Sequence, residues 1–302
     1  MIVVACVLLA AVVAPNVAAR RVAGSPVAAP IDEPPAPGTC VTAMADPWAA
    51  DPAPGFAVGK VIDFPTARFG PCAGTVIGEV AVVDSDTFPA KRIVDSDYQG
   101  AVQQCALDSI GYLGSIAPVV ERAAGQQGIV WTPDLTFRYT PVGPTALQRA
   151  AGQRWSACVV GSAGVTPYLG RLHKVLDTGV LPPDFGSCWP SMRLRDAQQV
   201  PCDSPHVLEV LGSTNLGPAP VSGADVRDAC AVYAGRALRT SDPTRQGALR
   251  LDILDFDMGA SVSPAADADL RRSFVSCVVT AAGGRSFNGT LVGIGQRPLP
   301  LV

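Results

Sequence analysis

The chain has 302 residues, 48% of them hydrophobic and 16% charged, a composition that excludes a disordered polyampholyte. Its 26 acidic and 23 basic side chains leave a net charge of -3, so there is no excess positive field to hold a phosphate backbone and nucleic acid is not an expected partner. The length suggests about two domains, the 30 Gly and 28 Pro imply many turns and short elements, and the nine Cys are the feature to explain.

Residues 1–19 carry no charge, and the apolar run from Ile2 to Val13 has the length of a signal-peptide core, too short to span a hydrocarbon layer of ~30 Å. Val17-Ala18-Ala19 ahead of Arg20 offers a small-residue cleavage site. Because no Lys or Arg precedes the apolar run, the segment reads as a signal peptide or as an N-terminal membrane anchor. Either way the chain is expected to be extracytoplasmic, secreted or held at the cell envelope, with membrane contact through this segment only. Residues 20–37 are rich in Pro and Ala and read as an extended linker.

Setting aside Cys6 leaves an even number of cysteines, which in an exported chain favours disulfides over metal or redox use. They fall into two copies of one pattern. Gly38-Thr39-Cys40, Pro71-Cys72, Cys105-Ala106 and Cys158-Val159-Val160 correspond in order to Gly186-Ser187-Cys188, Pro201-Cys202, Cys230-Ala231 and Cys277-Val278-Val279. Glu79-Val80 and Glu209-Val210 stand at the same distance past the second cysteine, and Trp155 and Phe274 at the same distance before the fourth. The order and the flanks together point to duplication, with one repeat over 38–180 and a second over 181–302.

The expected fold class is α+β: two tandem small disulfide-stapled domains, each an antiparallel sheet with one main packing helix. Alternating aliphatic and β-branched residues predict strands over Val76 to Val83 and Val207 to Leu211. Tyr98, Val102 and Cys105, and in the second copy Val226, Cys230 and Tyr233, recur at helical spacing and place each third cysteine on a buried helix face. Ser222 with Asp225 predicts the start of the second helix. The fourth cysteine lies in a strand expected to turn back as a hairpin, WSACVVGSAGVTPYLG in one copy and SFVSCVVT into SFNGTLVGIG in the other. Four cysteines per copy allow three pairings. The favoured ones are Cys72 with Cys105 and Cys202 with Cys230, because a strand and the helix that follows it form the shortest cross-layer connection. Cys40 would then pair with Cys158, and Cys188 with Cys277.

The second copy carries Val200-Pro201-Cys202-Asp203-Ser204-Pro205-His206-Val207-Leu208-Glu209-Val210 between a Gly-x-Cys and an Arg-x-x-x-x-Cys strand. In this it resembles the septum-formation domain family of actinobacterial envelope proteins. The first copy matches less closely, with Thr75 and Val76 at the positions of Pro205 and His206, but it keeps Gly152-Gln153-Arg154 before Cys158. The resemblance extends over nearly all of the chain after the linker. It implies a two-copy extracytoplasmic protein linked to cell division, and it implies no defined molecular activity.

His206 and Glu209, with Asp203 nearby, are the best candidates for a site, since such groups can ligate a divalent metal or act as an acid–base pair. The structural alternative has His206 bonding the turn after Cys202 and Glu209 pairing with Arg271 or Arg272. Retention of Glu79 in the first copy, without the His, favours that alternative. Asp252, Asp255 and Asp257 interleave with apolar residues and read as a half-buried strand rather than a calcium site. His173, beside Arg171 and Lys174, reads as part of a solvated face. No Gly-x-Ser-x-Gly and no phosphate loop occurs. Trp48, Trp131 and Trp189 sit in Pro-containing contexts and read equally as partner anchors or as plugs of a thin core. The expectation is a non-enzymatic, cofactor-free envelope protein acting through an envelope protein or cell-wall component. The alternatives are a metal-dependent envelope enzyme centred on His206 and Glu209, or a purely structural anchor and spacer.

Overall fold

The computed structural model describes residues 30–44, 61–62, 64–85, 93–117, 129–162, 167–192, 197–255, 269–271 and 273–302; Cys6, Trp48, Asp257 and Arg272 lie outside them, as do the signal or anchor segment and most of the linker. The chain divides into two units, Met1–Glu33 and Pro34–Val302. Of the first, residues 30–33 are described and form neither helix nor strand. The second is α+β, built on two antiparallel sheets.

In the first sheet the strands β1 (Cys40–Met44), β2 (Ala67–Gly70), β3 (Gly78–Asp84), β4 (Phe137–Val142) and β5 (Ser156–Ser162) lie in the order β2-β1-β3-β5-β4. The second contains β6 (Ser187–Trp189), β7 (Leu208–Asn215), β8 (Leu249–Asp255) and β9 (Phe274–Ala281) in the order β6-β7-β9-β8. Helix α1 (Asp95–Leu113) lies on the first sheet and α3 (Gly223–Leu238) on the second, with the short α2 (Ala146–Ala150) before β5. The Ser222 hydroxyl caps α3 by accepting from the Asp225 amide at 3.1 Å, where Asp225 also faces the positive end of the helix dipole. Val226, Ala229, Cys230, Tyr233 and Ala237 then form its buried face.

The two halves of the cysteine pattern share points of strand register. Cys40 stands opposite Glu79, and Cys188 opposite Glu209. Each central strand carries a β-bulge at the same place, between Val80 and Val82 and between Val210 and Gly212, immediately before the residue that faces the fourth cysteine, Cys158 or Cys277. On the face away from the helix, Val80, Val159 and Val142 of one sheet match Val210, Val278 and Leu254 of the other. A bulge bends the strand and increases its twist, so keeping it in place keeps the curvature over which the helix packs.

The disulfides differ from the favoured pairing. The bonds are Cys40–Cys72, Cys105–Cys158, Cys188–Cys202 and Cys230–Cys277. The pairs Cys72 with Cys105, Cys40 with Cys158, Cys202 with Cys230 and Cys188 with Cys277 are therefore not formed. The reason is position on the sheet. Cys40 pairs with Gly70 at the end of β2, and Cys188 forms a bridge with Val200, so Cys72 and Cys202 emerge just past the edge and meet the first cysteine of their own copy. The helix instead lies over the sheet with its cysteine, Cys105 or Cys230, bonded to the fourth cysteine on β5 or β9.

Among the described residues the expected hairpin pairings do not form either. After β5 and β9 the chain returns to the segment ahead of the central strand: Tyr168 pairs with Val76, and His206 exchanges backbone hydrogen bonds of 2.9 and 2.7 Å with Phe287.

The two copies interpenetrate. Thr132–Pro133, from the first half of the sequence, pairs with Gly212 and Ser213 on the edge of β7, and Ile129 and Trp131 enter the core of the second copy. Gly212 is required there: a Cβ would lie 2.6 Å from the Tyr233 ring and 2.8 Å from the Thr132 carbonyl oxygen. In the other direction Phe185 enters the core of the first copy, with ring centroids 4.7 Å from Phe137 and 5.1 Å from Tyr168. Thr136 ties the crossing together, its amide donating to the Phe185 carbonyl at 3.0 Å and its hydroxyl to that of Gly186 at 3.1 Å.

Candidate functional site

Each copy buries one carboxyl group beneath the returning segment. In the first, Glu79 accepts from the Tyr112 hydroxyl at 2.7 Å, the Tyr168 hydroxyl at 3.2 Å and the Leu172 amide at 2.8 Å. Burial foremost, and then the neighbouring Glu79, push both phenols above the usual tyrosine range. In the second, Glu209 accepts from the Thr290 hydroxyl at 2.7 Å and the Leu291 amide at 2.6 Å. Leu172 and Leu291 occupy matching positions after the fourth cysteine, so one amide of the fold serves the carboxylate in both copies. Phe287 takes the place of Tyr168 and offers no hydroxyl. The Glu209 carboxyl is fully buried, and desolvation pushes it up to about 7, against the pull of its bonds to Thr290, Leu291 and Val292.

Glu209 therefore does not pair with Arg271, and its partners lie instead on the returning loop. Among the described residues, one group brings three potential ligand atoms within 4.8 Å of one another: Cys188, Cys202 and Glu209. Its two sulfurs are bonded to each other, and neither His206 nor Asp203 belongs to it. Gly186 makes the cluster possible, because a Cβ there would meet the Glu209 carboxylate at 2.6 Å, Thr290 Oγ1 at 2.9 Å and Cys202 Sγ at 3.0 Å.

His206 is buried with its ring against Phe287, centroids 5.6 Å apart. Its Nδ1 is 2.8 Å from the Ser204 carbonyl oxygen, which only accepts, so Nδ1 carries the proton and Nε2 is a lone pair with no hydrogen-bond partner among the described residues. Burial lowers its pKa, against that hydrogen bond, and keeps the ring neutral. The expectation that His206 bonds the turn after Cys202 matches this contact.

The tryptophans separate. Trp131 is fully buried and stacks on Tyr233 at 5.9 Å, so it plugs a core and offers no surface anchor. Trp189 is half-buried and donates from Nε1 to Ser187 Oγ at 3.1 Å. His173 is exposed and lies 5.1 Å from the Tyr112 ring. Asp252 accepts from the Ile253 amide at 2.8 Å on β8, as a strand residue, and Asp255 ends that strand. Tyr112 and Tyr168 escaped the sequence reading of the site. Tyr168 had a signal, because it stands as far past Cys158 as Phe287 does past Cys277.

No helix among the described residues is long and apolar enough to cross a membrane. Four disulfides fit an oxidising, extracytoplasmic environment. Comparison with protein-family models, with curated proteins and with solved structures finds no match to this chain.

Proposed function

We propose that this is an exported cell-envelope protein without catalytic activity of its own, which works through contacts with an envelope protein or a cell-wall component during septum formation. The observation that supports this reading most is the use of the polar residues that a catalytic reading would need. Glu79 and Glu209 are buried and turned to the chain's own hydroxyls and amides, and the imidazole of His206 is buried against Phe287. The link to the septum rests on the resemblance of the Val200 to Val210 motif. Two interlocked copies stapled by four disulfides suit a part that must persist outside the cell without repair, because each bond restricts the unfolded chain by about 3–4 kcal/mol in the chain-entropy model.

The test is localisation of the full-length chain with a C-terminal fluorescent tag that folds in oxidising compartments, together with alkylation of thiols before and after reduction. The expected result is an envelope signal concentrated at division sites, with the eight paired cysteines unreactive until reduced. A uniform cytoplasmic signal with reactive thiols would overturn the proposal. Envelope localisation combined with unchanged growth and septum shape after deletion of residues 38–302 would replace it with the structural-spacer reading.

A further inference from the structure

The four disulfides are not chemically equivalent. Cys105, Cys158, Cys230 and Cys277 are all buried between helix and sheet. In the two edge disulfides the first cysteine, Cys40 or Cys188, is buried, while the second, Cys72 or Cys202, is partly exposed. Of the eight bonded cysteines, Cys72 and Cys202 are the two with part of the residue open to solvent, so they are where an outside thiolate would attack. These two sites differ in what stands behind them. Glu79 is turned to two phenols and an amide, and it forms no cluster with its disulfide. Glu209 lies opposite Cys188 in the register, and one of its carboxylate oxygens and the Cys188 and Cys202 sulfurs fall within 4.8 Å of one another.

We propose that Cys188–Cys202 is a thiol–disulfide exchange site for an external dithiol, in which Glu209 supplies the proton to the departing Cys188 sulfur. A thiolate of the dithiol attacks the Cys202 sulfur, forming a mixed disulfide and breaking the Cys188–Cys202 bond. The electron pair of that bond leaves on Cys188, which takes the Glu209 proton and becomes a thiol. The second thiol of the dithiol then loses its proton to water and attacks the mixed disulfide. It departs as the cyclic or bridged disulfide and leaves Cys202 as a thiolate. The dithiol is oxidised by two electrons and the protein disulfide reduced by two. The exchange is a stoichiometric modification and goes beyond the binding role proposed above.

Chemistry and surroundings agree with this assignment. A leaving sulfur departs faster when a proton donor is in reach, and a useful donor titrates near the working pH. The Glu209 carboxyl holds its proton to about 7. The groups facing it are the Thr290 hydroxyl, the Leu291 and Val292 amides and the disulfide, and no charged side chain is among the influences on it. Just ahead of its strand lies His206, whose pKa burial lowers. Cys188–Cys202 also closes the shortest of the four loops, with a sequence separation of 14.

The experiment is timed reduction of the full oxidised chain by dithiothreitol from pH 5.5 to 8.5, with alkylation and peptide mass mapping of each pair, and rates normalised to dithiothreitol thiolate. At pH 6, Cys188–Cys202 is expected to open at least about tenfold faster than Cys40–Cys72. The advantage should fall as pH rises through 7. Glu209→Gln keeps the shape and the acceptor and should bring the two rates within about twofold, whereas Glu79→Gln should leave the Cys188–Cys202 advantage intact. Equal opening of the two pairs in the wild type would overturn the proposal, as would an undiminished advantage in Glu209→Gln. If Glu209→Gln opens all four pairs together, showing loss of the fold, the wild-type comparison within one molecule decides.

Discussion

The two copies share one skeleton and surround its central carboxylate with different donors. In the first, Tyr112 and Tyr168 supply two phenol donors to Glu79. In the second, Ala237 and Phe287 occupy the matching positions, and Glu209 keeps one hydroxyl and the conserved place of a leucine amide. The lesson is that both copies keep what the backbone needs, an acceptor for the amide of the returning segment, while the side chains that supply the other donors differ. At Glu209 burial in a dry site favours the neutral acid over the carboxylate in spite of its hydrogen bonds.

The largest expected effects come from the exchange of segments between the copies. Trp131→Ala and Phe185→Ala should each cost about 3–5 kcal/mol, because each removes a fully buried ring from the copy that did not supply it. Urea unfolding followed by fluorescence and circular dichroism should show one shifted transition in both variants. Two separated transitions, with only one of them moved, would mean that the copies unfold independently.

The next contrast is in pH dependence. The Glu209 carboxyl titrates near 7 in the fold and near 4.5 when unfolded, so the unfolded chain gives up its proton first as pH rises. The stability it contributes is complete below pH 4.5 and is lost as pH rises through 7, a loss of at most about 3 kcal/mol. Denaturant midpoints of wild type and Glu209→Gln should therefore diverge between pH 5 and 8, with the variant losing less. His206 works in the reverse direction. Its lowered pKa means that its contribution is present above the ordinary value of 6.5 and is lost as pH falls through the folded value. His206→Val, which installs the residue of the first copy, should flatten the acid side of the same curve.

Two smaller effects, of about 1 kcal/mol each, test the local parts. Tyr112→Phe removes one donor from Glu79 and should lower the thermal midpoint at all pH values near neutrality. Ser222→Ala removes the cap of α3 and should cost a similar amount, visible as reduced amide protection in its first turn.

Much of the secondary structure was readable from local pattern. The spacing of Val226, Cys230 and Tyr233 marks the buried face of α3, and Ser222 marks its start, because both are properties of neighbouring turns of one helix. The alternation around Glu79 and Glu209 marks the central strands in the same way, although β7 runs on to Asn215. The disulfide partners were not readable. Choosing between Cys40 and Cys105 as the partner of Cys72 requires the register of β1 against β2, and that depends on pairing across some thirty residues. The roles of Trp131 and Phe185 were hidden for a further reason, since each lies in one copy by sequence and in the other by packing.

By itself, then, the sequence determined the repeated cysteine pattern, the buried helix faces and the matching places of Glu79 and Glu209 in that pattern. These follow from composition and short periods, which act within one element. Only the tertiary structure decided which sulfurs bond, which loop covers each carboxylate and which core receives each aromatic ring. Those outcomes depend on strand register and on loop closure between distant segments, where the winning contact is set by geometry that no local pattern encodes.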